Sequence, residues 1–96
     1  MVTYVTLARW TDQGSKHVKD TMQRTQQFRQ DCEKRGIKVR SVFWTQGRYD
    51  MMALVDAPDE QTMMANALAM GSQGSIRTET LRGFTEMEID AILRKL

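Results

Sequence analysis

Apolar and polar side chains alternate from Val2 to Arg9, with Thr3, Val5 and Leu7 on one side and Tyr4, Thr6 and Ala8 on the other. That period of two predicts a strand. Thr11-Asp12-Gln13-Gly14-Ser15 is turn chemistry, and the period then lengthens. Val18, Met22, Thr25, Phe28 or Arg29, and Cys32 recur at helical spacing, with Ser15 and Thr21 as alternative N-caps, so the helix starts at the first or restarts at the second. Gly36, after Lys34 and Arg35, has the place of a C′ glycine behind a basic last turn. Two runs follow, Ile37 to Gln46 and Tyr49 to Val55, and Gly47 between them predicts a hairpin. Pro58 suits the first turn of a second helix, with Asp59 and Glu60 favourable to its dipole; that helix is expected to bury Met64, Ala67 and Leu68 and to stop at Gly71. Ser75 to Leu81 alternates again and reads as a fourth strand. Thr85 and Glu88 form a capping box for a third helix whose stripe is Ile89, Ile92, Leu93 and Leu96.

The order βαββαβ plus a C-terminal helix predicts a single α+β domain over residues 1–96, ferredoxin-like, with the first and third strands central. The third strand offers Tyr49, Met51, Ala53 and Val55 to one side, and Met52 and Leu54 to the other. The second puts Val39 and Phe43 opposite Val42 and Trp44. Both sheet faces are thus partly apolar, while two crossover helices cover one, so a second layer is required. Either the third helix folds over the open face or two subunits pack sheet on sheet. The second is the favoured expectation, with the third helix gripping the partner or capping the rim.

Composition narrows the function classes. A net charge of +2 with 27% charged residues gives no dominant attraction to nucleic acid or an anionic membrane. Arg24, Arg29, Lys34, Arg35, Lys38 and Arg40 are interleaved with Asp31 and Glu33 and read as a solvated face. The same element order serves RNA-recognition motifs, but Gly47-Arg48-Tyr49-Asp50-Met51-Met52 lacks their stacking aromatics, so no nucleic-acid partner is expected. Cys32 alone excludes an intramolecular disulfide and any CxxC motif. Val2 to Ala8 is too short to span a membrane and lacks a basic leader, so the cytoplasm is the expected compartment.

Candidate chemistry is sparse. Tyr49 and Asp50, neighbours on a strand, face opposite ways: a phenolic donor and a rim anchor in a functional reading, hairpin packing and backbone satisfaction in a structural one. Asp12 and Gln13 follow the first strand, beside Trp10, where loops carry binding groups; Asp12 and His17 form an acid–base pair only if the loop folds back. His17 is the sole histidine, so neither a metal site nor a cofactor is expected. Gly71-Ser72-Gln73-Gly74-Ser75 leads into a strand instead of a helix and fails as a phosphate loop. Arg77 offers a planar fork for a carboxylate or phosphate, or pairs across the sheet with Glu79-type neighbours or with a partner subunit. Eight methionines read as adaptable core filling and, second, as a pliable apolar pocket.

Trp10-Thr11-Asp12-Gln13-Gly14, Gly47-Arg48-Tyr49-Asp50, Asp56-Ala57-Pro58-Asp59, Gly71-Ser72-Gln73-Gly74 and the strand Ile76 to Leu81 with Phe84 together resemble the GYD family, named for its Gly, Tyr and Asp. The resemblance runs over essentially the whole chain. It implies a dimeric α+β barrel and no particular activity, because that superfamily spans isomerases, monooxygenases, haem enzymes and ligand-sensing regulators. The expectation is a homodimer or higher homo-oligomer binding a small apolar or carboxylated ligand. Its pocket lies between sheet and helices, walled by Tyr4, Trp10, Trp44, Tyr49 and methionines, with Trp10, Asp12, Gln13, Tyr49, Asp50 and Arg77 as candidate contacts. The alternative is a non-catalytic scaffold or sensing module.

Overall fold

The computed structural model describes residues 1–96. Its strands are β1 (Val2–Trp10), β2 (Lys38–Trp44), β3 (Met51–Ala57) and β4 (Ile76–Gly83). They form one antiparallel sheet in the order β2-β3-β1-β4, so β1 and β3 are central, as the ferredoxin-like reading requires. The helices are α1 (Asp12–Lys16), α2 (Thr21–Lys34), α3 (Glu60–Ser72) and α4 (Glu86–Leu93), with a 3-10 turn over Val18–Asp20. None is long and apolar enough to cross a membrane.

The first helix restarts. Thr11, not Ser15, caps α1, its hydroxyl accepting from Gly14 N–H at 3.1 Å. The chain then passes through the 3-10 turn and re-enters a helix at Thr21. Val18 and Met22 consequently lie exposed before and at the start of α2, and inward packing begins near Phe28 and Cys32. A Schellman ending closes α2: Gly36 stands at φ +75°, its N–H bonds Glu33 O, and Ile37 N–H bonds Cys32 O at 2.8 Å.

Three expectations shift by one to three residues. Pro58 precedes the helix; Asp59 is the N-cap, accepting from Thr62 N–H at 2.7 Å, which holds its carboxyl below the usual range. The buried face of α3 is Met63, Asn66 and Met70, while Met64 and Leu68 are 58% and 62% exposed. Inward and outward stripes of this Ala- and Met-rich helix are nearly equally apolar, so periodicity did not fix its rotation. Gly74 at φ +82°, instead of Gly71, ends the helical stretch.

In the second strand, a β-bulge changes the phase. Val39 opposes Val55 and Ser41 opposes the adjacent Leu54, so Arg40 is the extra residue. Val39 therefore joins Val42 and Trp44 on the helix side, and Phe43 faces away beside Met52. Arg40 closes on buried Asp56 at 2.6 Å, and Asp56 also accepts from Thr3 Oγ1 at 2.8 Å.

The core lies under one end of the helix layer, where Tyr4, Cys32, Ile37, Ala53, Val55, Ala57 and Met63 cluster. The other sheet face carries Val5, Leu7, Phe43, Met52, Leu54 and Leu81 with no helix over it. The capping box of α4 forms as expected, Thr85 Oγ1 accepting from Glu88 N–H at 3.2 Å and Glu88 Oε1 from Thr85 N–H at 3.0 Å. Its stripe does not pack on the sheet: Ile89, Ile92, Leu93 and Leu96 are exposed.

Two glycines carry different loads. Gly47 has φ +102° with open space where a Cβ would stand, so Gly47→Val meets backbone strain alone and is expected to destabilise by about 1–2 kcal/mol. At Gly14 a Cβ would come within 2.0 Å of Ser75 O, so Gly14→Ala must push two chain segments apart. Thermal denaturation should show losses for both, and none for Gly71→Ala, whose Cβ meets nothing.

Candidate functional site

Beyond the core, toward the Trp10 end of the same sheet face, the helices stand off the strands and leave a cavity of about 110 Å³. Its floor is the helix side of the strands, with Thr6, Ala8, Val42, Met51, Ala53 and Ile76; its roof includes Thr25 and Phe28 from α2 and Asn66 and Met70 from α3. Small side chains at Ala8, Ala53 and Ala69 leave the space that larger residues would fill. Room of this size admits several waters or one small molecule.

The polar groups around this cavity are few. Asn66, 1% exposed, accepts at Oδ1 from Arg35 Nη1 at 3.1 Å and faces Cys32 Sγ at 3.9 Å. Its Nδ2 has no partner, and neither has Oγ1 of buried Thr6. Arg24, Asp31 and Arg35, all half-buried, belong to the same lining. Burial pushes the Cys32 thiol up to about 11, so it remains a protonated packing group and no nucleophile at neutral pH.

The sequence candidates divide among separate places. Trp10 lines the cavity. Tyr4 packs in the core, and Trp44 lies at the exposed edge of β2. Tyr49 and Asp50 fall just before β3, in the hairpin, instead of on the strand. Asp50 accepts from Trp10 N–H through Oδ2 at 2.9 Å, while its own N–H bonds Ala8 O at 2.9 Å and its carbonyl accepts from Thr45 N–H at 2.9 Å. The carboxylate thus fastens the hairpin to the end of β1. Tyr49 lies toward the open face, donating to Glu79 Oε2 at 2.8 Å under the Arg9 guanidinium at 5.1 Å. That bond raises its pKa by favouring the neutral phenol. Arg77 shares this shallow groove with Tyr49 and Glu79, opposite Arg9 on β1.

Asp12 and Gln13 are exposed on α1, and no ion pair joins Asp12 to His17. Their segment is tied to the end of α3: Thr11 donates to Gly74 O at 2.6 Å, Thr11 N–H bonds Ser75 O at 3.0 Å, and Gln13 lies over Gly74. No group of three or more His, Cys, Asp or Glu side chains is placed to hold a metal ion. Sequence reasoning missed Thr6, Asn66, Arg24 and Arg35. Asn66 carried a signal, a lone amide at helical spacing between Met63 and Met70; the arginines resembled an ordinary solvated face.

The GYD domain model matches residues 4–93, and the chain belongs to that family. It is 28% identical over 95 residues to a protein of Thermus thermophilus named glutamine synthetase and cystathionine beta-lyase binding protein, covering 98% of this chain and 100% of the relative. No solved structure matches the chain significantly.

Asp50→Ala leaves the Trp10 N–H without its acceptor and is expected to destabilise by about 1–3 kcal/mol, whereas Asp50→Asn keeps an oxygen there and should lose less. Chemical denaturation of the two variants distinguishes an anchor from a ligand contact. The Cys32 thiol holds its proton more tightly folded than unfolded, so its contribution is intact below the ordinary value of 9.0 and is lost as pH rises toward about 11. Melting curves across that window should lose part of their slope in Cys32→Ala.

Proposed function

We propose that this GYD-domain protein is a homo-oligomeric binding protein, built from dimers that pack open sheet face on open sheet face into an α+β barrel. The observation that carries this reading is the strip Val5, Leu7, Met52, Leu54, Phe43 and Leu81, apolar across all four strands and without a covering layer. Contiguous apolar surface of this kind marks an interface. A second copy supplies a matching face, and the exposed stripe of α4 is proposed to grip it. No nucleophile–base pair converges anywhere in support of a reaction, so recognition is the favoured role.

The relative's name extends the reading to protein partners. By likeness, this chain is proposed to dock on enzymes of the kind that name mentions, glutamine synthetase and cystathionine beta-lyase. Outward-facing Met64 and Leu68 on α3 remain available for such contact once the sheets are paired. The proposed setting is the cytoplasm, where a single free thiol such as Cys32 stays reduced. The cavity supports a second, compatible reading, a small molecule held between sheet and helices in each subunit.

Sedimentation should give at least twice the 11.1 kDa chain mass at micromolar concentration, and Leu54→Glu should reduce it to a monomer. A monomeric wild type overturns the barrel. Immobilised protein should retain the two purified enzymes from its own cell; retention of neither removes the proposed partners and leaves the oligomer standing.

A further inference from the structure

Among the buried side-chain polar atoms, Thr6 Oγ1 and Asn66 Nδ2 lack a partner, and both residues line the same cavity. Buried polar groups are almost always paired, so two orphans at one void point to a missing occupant. The amide of Asn66 is oriented by its other end, because Oδ1 is taken by the Arg35 guanidinium. Nδ2 is therefore a fixed donor that requires an acceptor, while the Thr6 hydroxyl can donate or accept.

Charge adds a sign to that requirement. Arg24 and Arg35 lie in the cavity lining, and neither forms an ion pair. Asp31, the one acid there, accepts from Gln27 Nε2 at 3.0 Å. Two half-buried guanidiniums against one carboxylate favour an anion of single charge. The remaining surface, Phe28, Met51, Met70 and Ile76 above all, is hydrocarbon and thioether and disfavours a strongly hydrated ion such as phosphate. Water would satisfy the two orphans and leave the excess charge unmatched.

We propose that the cavity binds a small apolar monocarboxylate. The carboxylate accepts from Asn66 Nδ2 within the field of Arg24 and Arg35, the Thr6 hydroxyl donates a second hydrogen bond, and the hydrocarbon body packs between Phe28 and Met70. This rests on the small-molecule reading of the cavity and names its ligand class.

Benzoate and its neutral isostere benzamide, titrated into the isotopically labelled intact protein and followed by backbone amide shifts, make the test. Benzoate should saturate and move Thr6, Thr25 and Asn66, with benzamide at least roughly tenfold weaker, as loss of a charge-assisted hydrogen bond implies. Arg24→Gln should weaken benzoate by a similar factor without lowering the melting temperature. Thr6→Val should weaken it too, while leaving the melting temperature equal or higher, since it removes an unpartnered hydroxyl. Equal binding of the two probes, unmoved by Arg24→Gln, overturns the carboxylate and preserves a ligand cavity. If neither probe saturates, and a set of neutral apolar fragments also leaves these amides unmoved, the small-molecule reading falls with it. Saturable shifts elsewhere, with these three amides still, overturn the location.

Discussion

A four-stranded sheet has two faces, and the helices packed on this one cover only the first. The side chains opposed across β1 and β3 make both faces apolar: Tyr4 with Val55 and Thr6 with Ala53 toward the helices, Val5 with Leu54 and Leu7 with Met52 away from them. Burying apolar area is the main source of stability in a domain this small. Here 14 of 96 residues are buried, and the large apolar side chains left exposed are no fewer. The proposed dimer would bury much of that exposed apolar surface.

Residues of the motifs shared with the family work chiefly as fasteners. Asp50 joins the hairpin to the end of β1, Thr11 and Gly14 join α1 to the turn at Gly74 and Ser75, and Tyr49 joins the hairpin to Glu79 on β4. Segments far apart in sequence thus meet around one end of the sheet. That end is also where the cavity lies, with Trp10 in its wall and Asp50 bonded to Trp10 N–H. Asp50, Thr11 and Gly14 consequently shape the site from behind, while Trp10 enters its wall.

Inside the helix layer, Cys32, Arg35 and Asn66 divide one polar connection between α2 and α3. Arg35 bonds the amide oxygen and leaves the buried amide nitrogen without a partner, the feature on which the proposed ligand class rests. The same burial that keeps Cys32 protonated gives an added charge in this layer a large effect.

Much of the architecture was legible in the chain. Alternation in Val2 to Arg9, Gly36 behind a basic turn, Gly47 between two apolar runs and the Thr85–Glu88 box each depend on interactions within a few residues, and each took its expected form. The order of elements and the handedness of crossovers then placed β1 and β3 centrally. Features set by long-range packing were not legible. The bulge at Arg40, which moves Val39 to the helix side, accompanies its closure on Asp56, 16 residues away in sequence. The rotation of α3 depended on which of two similar stripes fits the sheet, and that choice put Asn66 inside and Leu68 outside. Arg24 and Arg35 read as solvent-facing charges until α2 and α3 lay side by side over Thr6. A site made of orphaned groups exists only where separate elements converge, so only the tertiary structure decided it.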